Sequence, residues 1–470
     1  MVKKKKKAAA SKHEQPHGKK ESTTGTHRRA WVVVLGDAGR SPRMQYHALS
    51  LCQTGTYEHV HMVGYQGARL IPELEEACSA GTLVTSYIPT TPAWMAGQAS
   101  GGTLVSMARK VFKALFQAIV LFKMLCIQLP RPDVILLQIP PAIPTMALCI
   151  LASRVRGARL VFDWHNFAHT LMGGGVLSRI AKVYEKLFAP YADGHVCVTR
   201  AMAEVLKHEY RHTHATVFYD KPPGLFRGRR SSKEKWDLFE TLRPCLREPM
   251  HIHDCLASMV ESGVLCSGDD LFQSATEDND ARGHRVLVTS TSWTPDEDFG
   301  ILLDAMVQYD AVAQTSSHLP TLVLFVTGRG PQKAMYVQRM QSLDLHKVAI
   351  RTVWLEPEDY PVLLGSADVG ISLHASSSGV DLPMKIVDMF GSHLPVCALS
   401  YPCLADEMVR EGENGMLFTT SSELVENLQE LFETQGKVAG MMEYLERHPY
   451  GRWDDEWQAS AWPIISGMTQ

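Results

Sequence analysis

Residues 31–40 read WVVVLGDAGR: five apolar residues, a turn bounded by Gly36 and Gly39, and then a helix-compatible stretch. An apolar run too short for a helix and closed by glycine reads as a buried strand feeding a helix. Residues 322–331, LVLFVTGRGP, repeat that arrangement in the second half of the chain. Around the first unit, strand-like runs recur at 59–64, 82–88, 134–138, 160–162 and 195–198, with helical patterns at 178–188 and 200–210 among those between. Around the second, strands read at 285–289, 348–353, 369–373 and 396–399. Helices there read at 298–309, 332–343, 358–366, 383–390 and 422–433. Strands alternating with helices imply βαβ units and parallel sheets. Between about 223 and 283 the pattern lapses into polar, charge-rich sequence, expected to be an irregular linker or insertion. The expected architecture is therefore α/β, with two Rossmann-like domains, 30–222 and 284–440, facing across a cleft. A basic tail (1–29) precedes them, and a helical, amphipathic segment (441–470) with Trp453, Trp457 and Trp462 follows. Such halves place a ligand where the carboxyl ends of both sheets meet.

A length of 470 residues with 45% hydrophobic and 21% charged residues fits two packed domains and excludes a largely disordered chain. The net charge of −3 conceals an asymmetry. Residues 1–30 carry eight Lys and two Arg against two Glu, a local +8 that leaves −11 on the remaining 440. An acidic body argues against nucleic acid as a partner. The tail is expected to be disordered and either attracts an anionic membrane or is a solvated solubility tail. Ten Cys without a CxxC pair suit free thiols in a reducing compartment.

Two segments bear on the membrane. Residues 134–153 are uncharged but contain Pro140, Pro141 and Pro144, which breaks a continuous helix into strand, turn and apolar helix. Residues 103–129 are helical in pattern, with Arg109, Lys110, Lys113 and Lys123 within about 140° of one face at 100° per residue. That stretch reads as a helix lying in a membrane interface, or as an ordinary surface helix packed on a sheet.

Four clusters could carry chemistry. In the turn after the first strand, Gly36, Asp37, Gly39 and Arg40 offer close backbone approach and a helix start with unpaired N–H donors. Asp163 and His165, in DWHN at the end of a strand, are placed to act as a base or to orient a sugar hydroxyl. Arg329 in Gly328–Pro331 offers paired N–H groups to a diphosphate. The densest cluster runs from His374 to Asp388. Ser378 and Gly379 form a donor-rich loop, Pro383 opens a helix, Lys385 sits in its first turn, and Asp388 follows one turn later. A fifth, HIHDC at 251–255, lacks ligand partners at usable spacing and is read as accidental, so no metal site is expected.

VVVLGDAGRSPRMQYHALSL, LVFDWHN, KVYEKLF, VCVTRAM, YDKP, TSTSWTPDEDF, WLEPEDYPVLLGSADVGISLHASSSGVDLPMKIVDMFG and LPVCAL, in this order, resemble the chitobiosyldiphosphodolichol β-mannosyltransferases over about 30–222 and 284–465. The resemblance implies a GT-B glycosyltransferase that moves mannose from GDP-mannose to dolichyl-diphosphate-linked chitobiose in a β-1,4 linkage, with inversion. It implies lipid-linked oligosaccharide synthesis for N-glycosylation at the cytosolic face of the endoplasmic reticulum membrane, beside other dolichol-pathway mannosyltransferases. No cofactor is implied, and Mg²⁺ is compatible without being required. The second domain of that fold holds the nucleotide sugar, which suits Arg329, Ser378, Gly379, Lys385 and Asp388. Where the wider superfamily carries two glutamates eight positions apart, this chain has Asp388 in the second place and Asp381 as a poor substitute for the first. The superfamily's Arg and Lys after the first strand of the second domain are replaced by Thr291–Thr294, leaving Arg329, Lys385 or Arg40 to supply positive charge. The base is one of Asp37, Asp163 and His165. Members of the family commonly carry an N-terminal span where this chain has its Lys-rich tail. Two alternatives stay open: a transferase using another nucleotide sugar on a lipid acceptor, and a catalytically silent docking subunit.

Overall fold

The computed structural model describes residues 28–90, 103–211, 213–247, 283–295 and 297–468. β1 (Arg29–Asp37) leads into α1 (Pro42–Gln53), with Pro42 at the first helical position, where its missing N–H has no intrahelical use. The chain continues through β2 (His59–Tyr65), α2 (Pro72–Ser79), β3 (Leu83–Tyr87) and α3 (Thr103–Lys123, prolonged through Met124–Gln128). Then come β4 (Val134–Ile139), α4 (Thr145–Arg156), β5 (Arg159–Trp164), α5 (Gly175–Phe188), β6 (Gly194–Cys197), α6 (Arg200–Glu209) and β7 (Thr216–Val217). The seven strands form one parallel sheet in the order β3-β2-β1-β4-β5-β6-β7. Successive residues of β1 serve opposite faces. Trp31 and Val33 pack with Leu121, Leu125, Met146 and Cys149, while Val32 and Val34 pack with Met44, Ala48 and Leu51.

The second half runs α7 (Ser232–Arg247), β8 (His284–Ser290), α8 (Phe299–Thr315), β9 (Thr321–Thr327), α9 (Lys333–Gln341), β10 (Val348–Val353), α10 (Asp359–Leu364), β11 (Val369–Ser372) and α11 (Met384–Gly391). It ends with β12 (Val396–Leu399), α12 (Pro402–Glu407), β13 (Gly415–Phe418), α13 (Ser421–Glu433) and α14 (Lys437–Arg447). Its six strands are parallel, ordered β10-β9-β8-β11-β12-β13. Strand order reverses beside β1 and β4 in one sheet and beside β8 and β11 in the other, which opens a crevice at those strand ends.

Three features depart from the expectation. α7 lies inside the stretch expected to be irregular. Its polar majority hides Leu238, Phe239 and Leu242, spaced for one helix face and buried in the second core. The approach to α7 is pinned to the same domain, since Gly228 N–H donates to the Gly391 carbonyl and Arg230 N–H to that of Gly365. The strands β7 and β13, two and four residues long, were too short to be read from periodicity. Finally, helical residues 453–466 (α15) return to the first domain, burying Trp453, Trp457, Ala461 and Ile465 beneath its sheet.

Residues 134–153 are β4, a Pro-rich turn and α4, as read. Among the described residues no helix is long and apolar enough to cross a membrane. The Lys-rich tail through residue 27, the 248–282 part of the insertion with its HIHDC cluster, and the side chains of Arg109, Lys110 and Lys113 lie outside the described residues.

Candidate active site in the interdomain cleft

A cavity of about 320 Å³ lies between the two sheets. The first domain contributes Arg40–Arg43 after β1, Gln138 near the end of β4, His165 after β5, and Asp220 beyond β7. The second contributes His374 and the run Asp381–Lys385 that enters α11. The domains also touch directly. Thr199 Oγ1 donates to the Val380 carbonyl at 2.5 Å, and Asn166 reaches Ser377 at 3.5 Å.

On the first domain's side the centre is Asp163, fully buried at the end of β5. Arg43 donates to it in bidentate fashion, Nε to Oδ2 at 2.9 Å and Nη2 to Oδ1 at 3.0 Å. His165 Nε2 lies 2.8 Å from Oδ2 and His47 Nε2 3.2 Å from it. Burial pushes this carboxyl up, but Arg43, His165 and His47 outweigh it and hold Asp163 well below the usual carboxylate range. Asp163 is thus a fixed anion with its oxygens occupied, unsuited to taking a proton. Trp457 Nε1 donates to His47 Nδ1 at 2.9 Å, which leaves the His47 proton on the nitrogen facing Asp163. Burial depresses the His47 pKa, so the ring is neutral.

Arg43 and His165 are the members of this group that reach the cavity, and of the two histidines it is His165 that lines it. With Nε2–H donating to Asp163, its Nδ1 carries the lone pair. Asp37, the third candidate base, is spent on its own turn. Its carboxylate accepts from Gly39 N–H at 3.0 Å and from Ala68 N–H at 3.0 and 3.1 Å, beside Arg40 at 3.3 Å. Gly39 serves the same packing, because a Cβ there would strike the Ala68 carbonyl. Gly36 precedes this turn and does not line the cavity, whereas Arg40 does.

On the opposite side, α11 begins at Pro383 with no side-chain cap, leaving the first N–H groups of the helix beside the cavity. Lys385 in its first turn pairs with the buried Glu297. Glu297 also accepts from Thr291 Oγ1 at 2.6 Å and Ser292 N–H at 2.8 Å, so it fixes both the lysine and the loop after β8. Asp381 is enclosed by donors. Ser376 and Ser378 hydroxyls point to it, and His374 Nε2 lies 3.3 Å away. Burial would raise its carboxyl, yet His374 and the serines hold it low. Gly379 has φ +73° and its N–H donates to Ser376, so both Ser378 and Gly379 shape the loop from within.

Two expected residues sit differently. Arg329 does not line the cavity. Its guanidinium stacks 3.4 Å over the Trp354 ring, while Gly328 and Gly330 bring that turn against the Thr291 and Ser292 carbonyls. Asp388 is half-buried and lies behind the lining, with its carboxyl pushed up to about 8 by burial and by the nearby Asp220 charge. Arg43, His47, Asp220 and Glu297 are site residues that sequence reading did not single out, and His374 stood there only as the start of the serine-rich cluster. The YDKP block contains Asp220, but nothing local to it says that Asp220 meets Arg43 at 2.9 Å across 177 positions.

Residues 39–217 match the family model for a glycosyl transferase 4-like domain, and residues 284–434 that for glycosyl transferases group 1. The chain is 39% identical to the Arabidopsis thaliana protein named UDP-glycosyltransferase TURAN, over 94% of this chain and 98% of that one. It is 38% identical to the Mus musculus chitobiosyldiphosphodolichol beta-mannosyltransferase, over 95% and 91% respectively. Among solved structures, Anabaena HepE in complex with UDP and glucose superposes with a TM-score of 0.57 at 15% identity, covering 92% of this chain and 98% of that one. That likeness carries the fold: two Rossmann-like domains in the GT-B arrangement.

Proposed function

The chain belongs to the chitobiosyldiphosphodolichol β-mannosyltransferase family and is a glycosyltransferase; from that premise we propose that it transfers mannose from GDP-mannose to the 4-hydroxyl of the outer GlcNAc of dolichyl-diphosphate-linked chitobiose, with inversion. The reading places it at the cytosolic face of the endoplasmic reticulum membrane, in assembly of the lipid-linked oligosaccharide for N-glycosylation. What carries the mechanism is the cavity itself, where His165 of one domain faces Lys385 and the uncapped start of α11 in the other.

Inverting transfer requires a base opposite the leaving group. His165 Nδ1 takes the acceptor proton as the hydroxyl oxygen attacks the anomeric carbon. Asp163 holds the ring in that tautomer and stabilises the imidazolium that forms, acting as a positioning residue. The departing diphosphate is stabilised by Lys385 and the N–H groups at the start of α11.

The test is single-turnover transfer from GDP-mannose to a phytanyl-linked chitobiosyl diphosphate. His165→Asn should lower kcat by about 10²–10⁴-fold while GDP affinity stays within about twofold. Undiminished turnover in that variant removes His165 as the base. The UDP in the names of the Arabidopsis relative and the Anabaena complex favours one second reading, a UDP-sugar donor. Competition binding decides between them: displacement of GDP-mannose by GDP but not by UDP supports the first reading, and the reverse supports the second.

A further inference from the structure

α5 is amphipathic in the wrong direction for a core helix. Val176, Ile180, Val183 and Leu187 fall within about 60° of one another at 100° per residue. They are exposed, with Val176 at 70% and Val183 at 67%, whereas Ala181 and Glu185 are the buried members. Its neighbours behave alike. α3 turns Leu115, Ile119 and Phe122 outward, and α4, packed between the two, turns out Leu151 and Val155. A soluble monomer rarely leaves three adjacent apolar rows uncovered.

The charge of these helices says what covers them. In sequence, α3, α4 and α5 contain nine Lys and Arg and one acidic residue, Glu185, which is buried, while the whole chain carries −3. Three of the nine are paired with acids of adjoining elements, Arg154 with Asp193 and Lys182 and Lys186 with Glu209, which still leaves an excess of positive charge on these helices. Apolar rows on cation-rich helices match the interface of an anionic bilayer. A symmetric pairing with a second copy would set the same cations against each other.

The face also ends where a lipid-borne acceptor is needed. The chain runs from His165 through exposed Leu171 and Met172 and glycines 173–175, all at positive φ, directly into α5. Glu185 of α5 ties that loop down, accepting from Ala168 N–H at 2.6 Å and lying 2.9 Å from His169 Nδ1. We propose that α3, α4 and α5 form one membrane-docking face, with α5 and its glycine-rich approach inserted into an anionic bilayer so that the cleft opens onto the lipid surface. The purpose of this face rests on the lipid-acceptor reading, but vesicle binding requires neither donor nor acceptor, so the two can fail separately.

The experiment is flotation of the full chain with vesicles of phosphatidylcholine alone or mixed with phosphatidylserine. The wild type should float with the anionic vesicles, weakly with the neutral ones, and less as salt rises. Ile180→Glu with Val183→Glu should cut anionic-vesicle binding at least tenfold, with unchanged GDP affinity and melting temperature. Leu115→Glu with Ile119→Glu is the independent second variant and should do the same from α3. Equal flotation of the folded variants and the wild type overturns the proposal. So does a wild-type dimer in sedimentation that the α5 variant converts to monomer, which would assign the face to a second copy.

Discussion

At the scale of single residues, the site turns on which carboxylates are already satisfied. DWHN offers Asp163 and His165 as equivalent candidates, and the choice between them comes from Arg43, 120 positions away, whose guanidinium claims both Asp163 oxygens. Arg43 is 3% exposed, so Arg43→Met strands a buried anion and should destabilise the fold by about 3–5 kcal/mol in urea denaturation. Arg43→Lys should recover little of that, because an ammonium cannot make the bidentate pair. Asp388 makes the opposite prediction. An Asp in the unfolded chain titrates near ~4, while here the carboxyl is pushed up to about 8. Between those values the folded state binds the extra proton, so stability falls as pH rises through the window. Asp388→Asn should flatten the profile of unfolding free energy between about pH 4 and 8. An unchanged slope contradicts the assignment.

At the scale of elements, reading and structure agree where apolar runs are bounded by glycine or proline. The strands at 59–64, 134–138 and 396–399 each match to within a residue or two. Misses came where tertiary contact supplies what periodicity lacks: α7 reads as polar, yet Leu238, Phe239 and Leu242 hold it once a groove exists to receive them. The helix start at Pro383 and the place of Lys385 in its first turn were legible in the sequence, but the grip of Glu297 on Lys385 was not. That pairing holds the ammonium in place, and under the proposed function it would compete with the donor diphosphate for it. Lys385→Ala should therefore weaken GDP binding by about 10–100-fold, consistent with losing a charged hydrogen bond, as measured by calorimetry. Glu297→Gln should leave GDP binding equal or tighter, provided Thr291 and Ser292 keep their acceptor.

At the scale of the whole molecule, the two domains are joined by more than a linker. Glu407 at the end of α12 accepts from Arg200 N–H at 2.8 Å, Ala201 N–H at 2.7 Å and the Tyr219 hydroxyl at 2.7 Å, capping α6 from the opposite domain. Glu407→Ala leaves three donors without their acceptor and should cost about 1.5–3 kcal/mol. Its signature is faster hydrogen exchange in the first turn of α6 and a larger radius of gyration. Protection equal to the wild type in both measurements would remove Glu407 as an interdomain clamp. The second tie is α15, whose Trp453 and Trp457 indoles donate to Ser50 and His47 beneath the first sheet.

Sequence by itself determined the strand–helix alternation, the two parallel sheets and the clusters after their strands, because periodicity, glycine turns and proline starts are local properties of the chain. Only the tertiary structure decided which member of each cluster is free to act. That depends on distant partners: Arg43 on Asp163, Trp457 on His47, Glu297 on Lys385, and the serine loop on Asp381. A side chain's protonation and freedom are set by what surrounds it in space, and the groups that surround these come from up to 410 positions away.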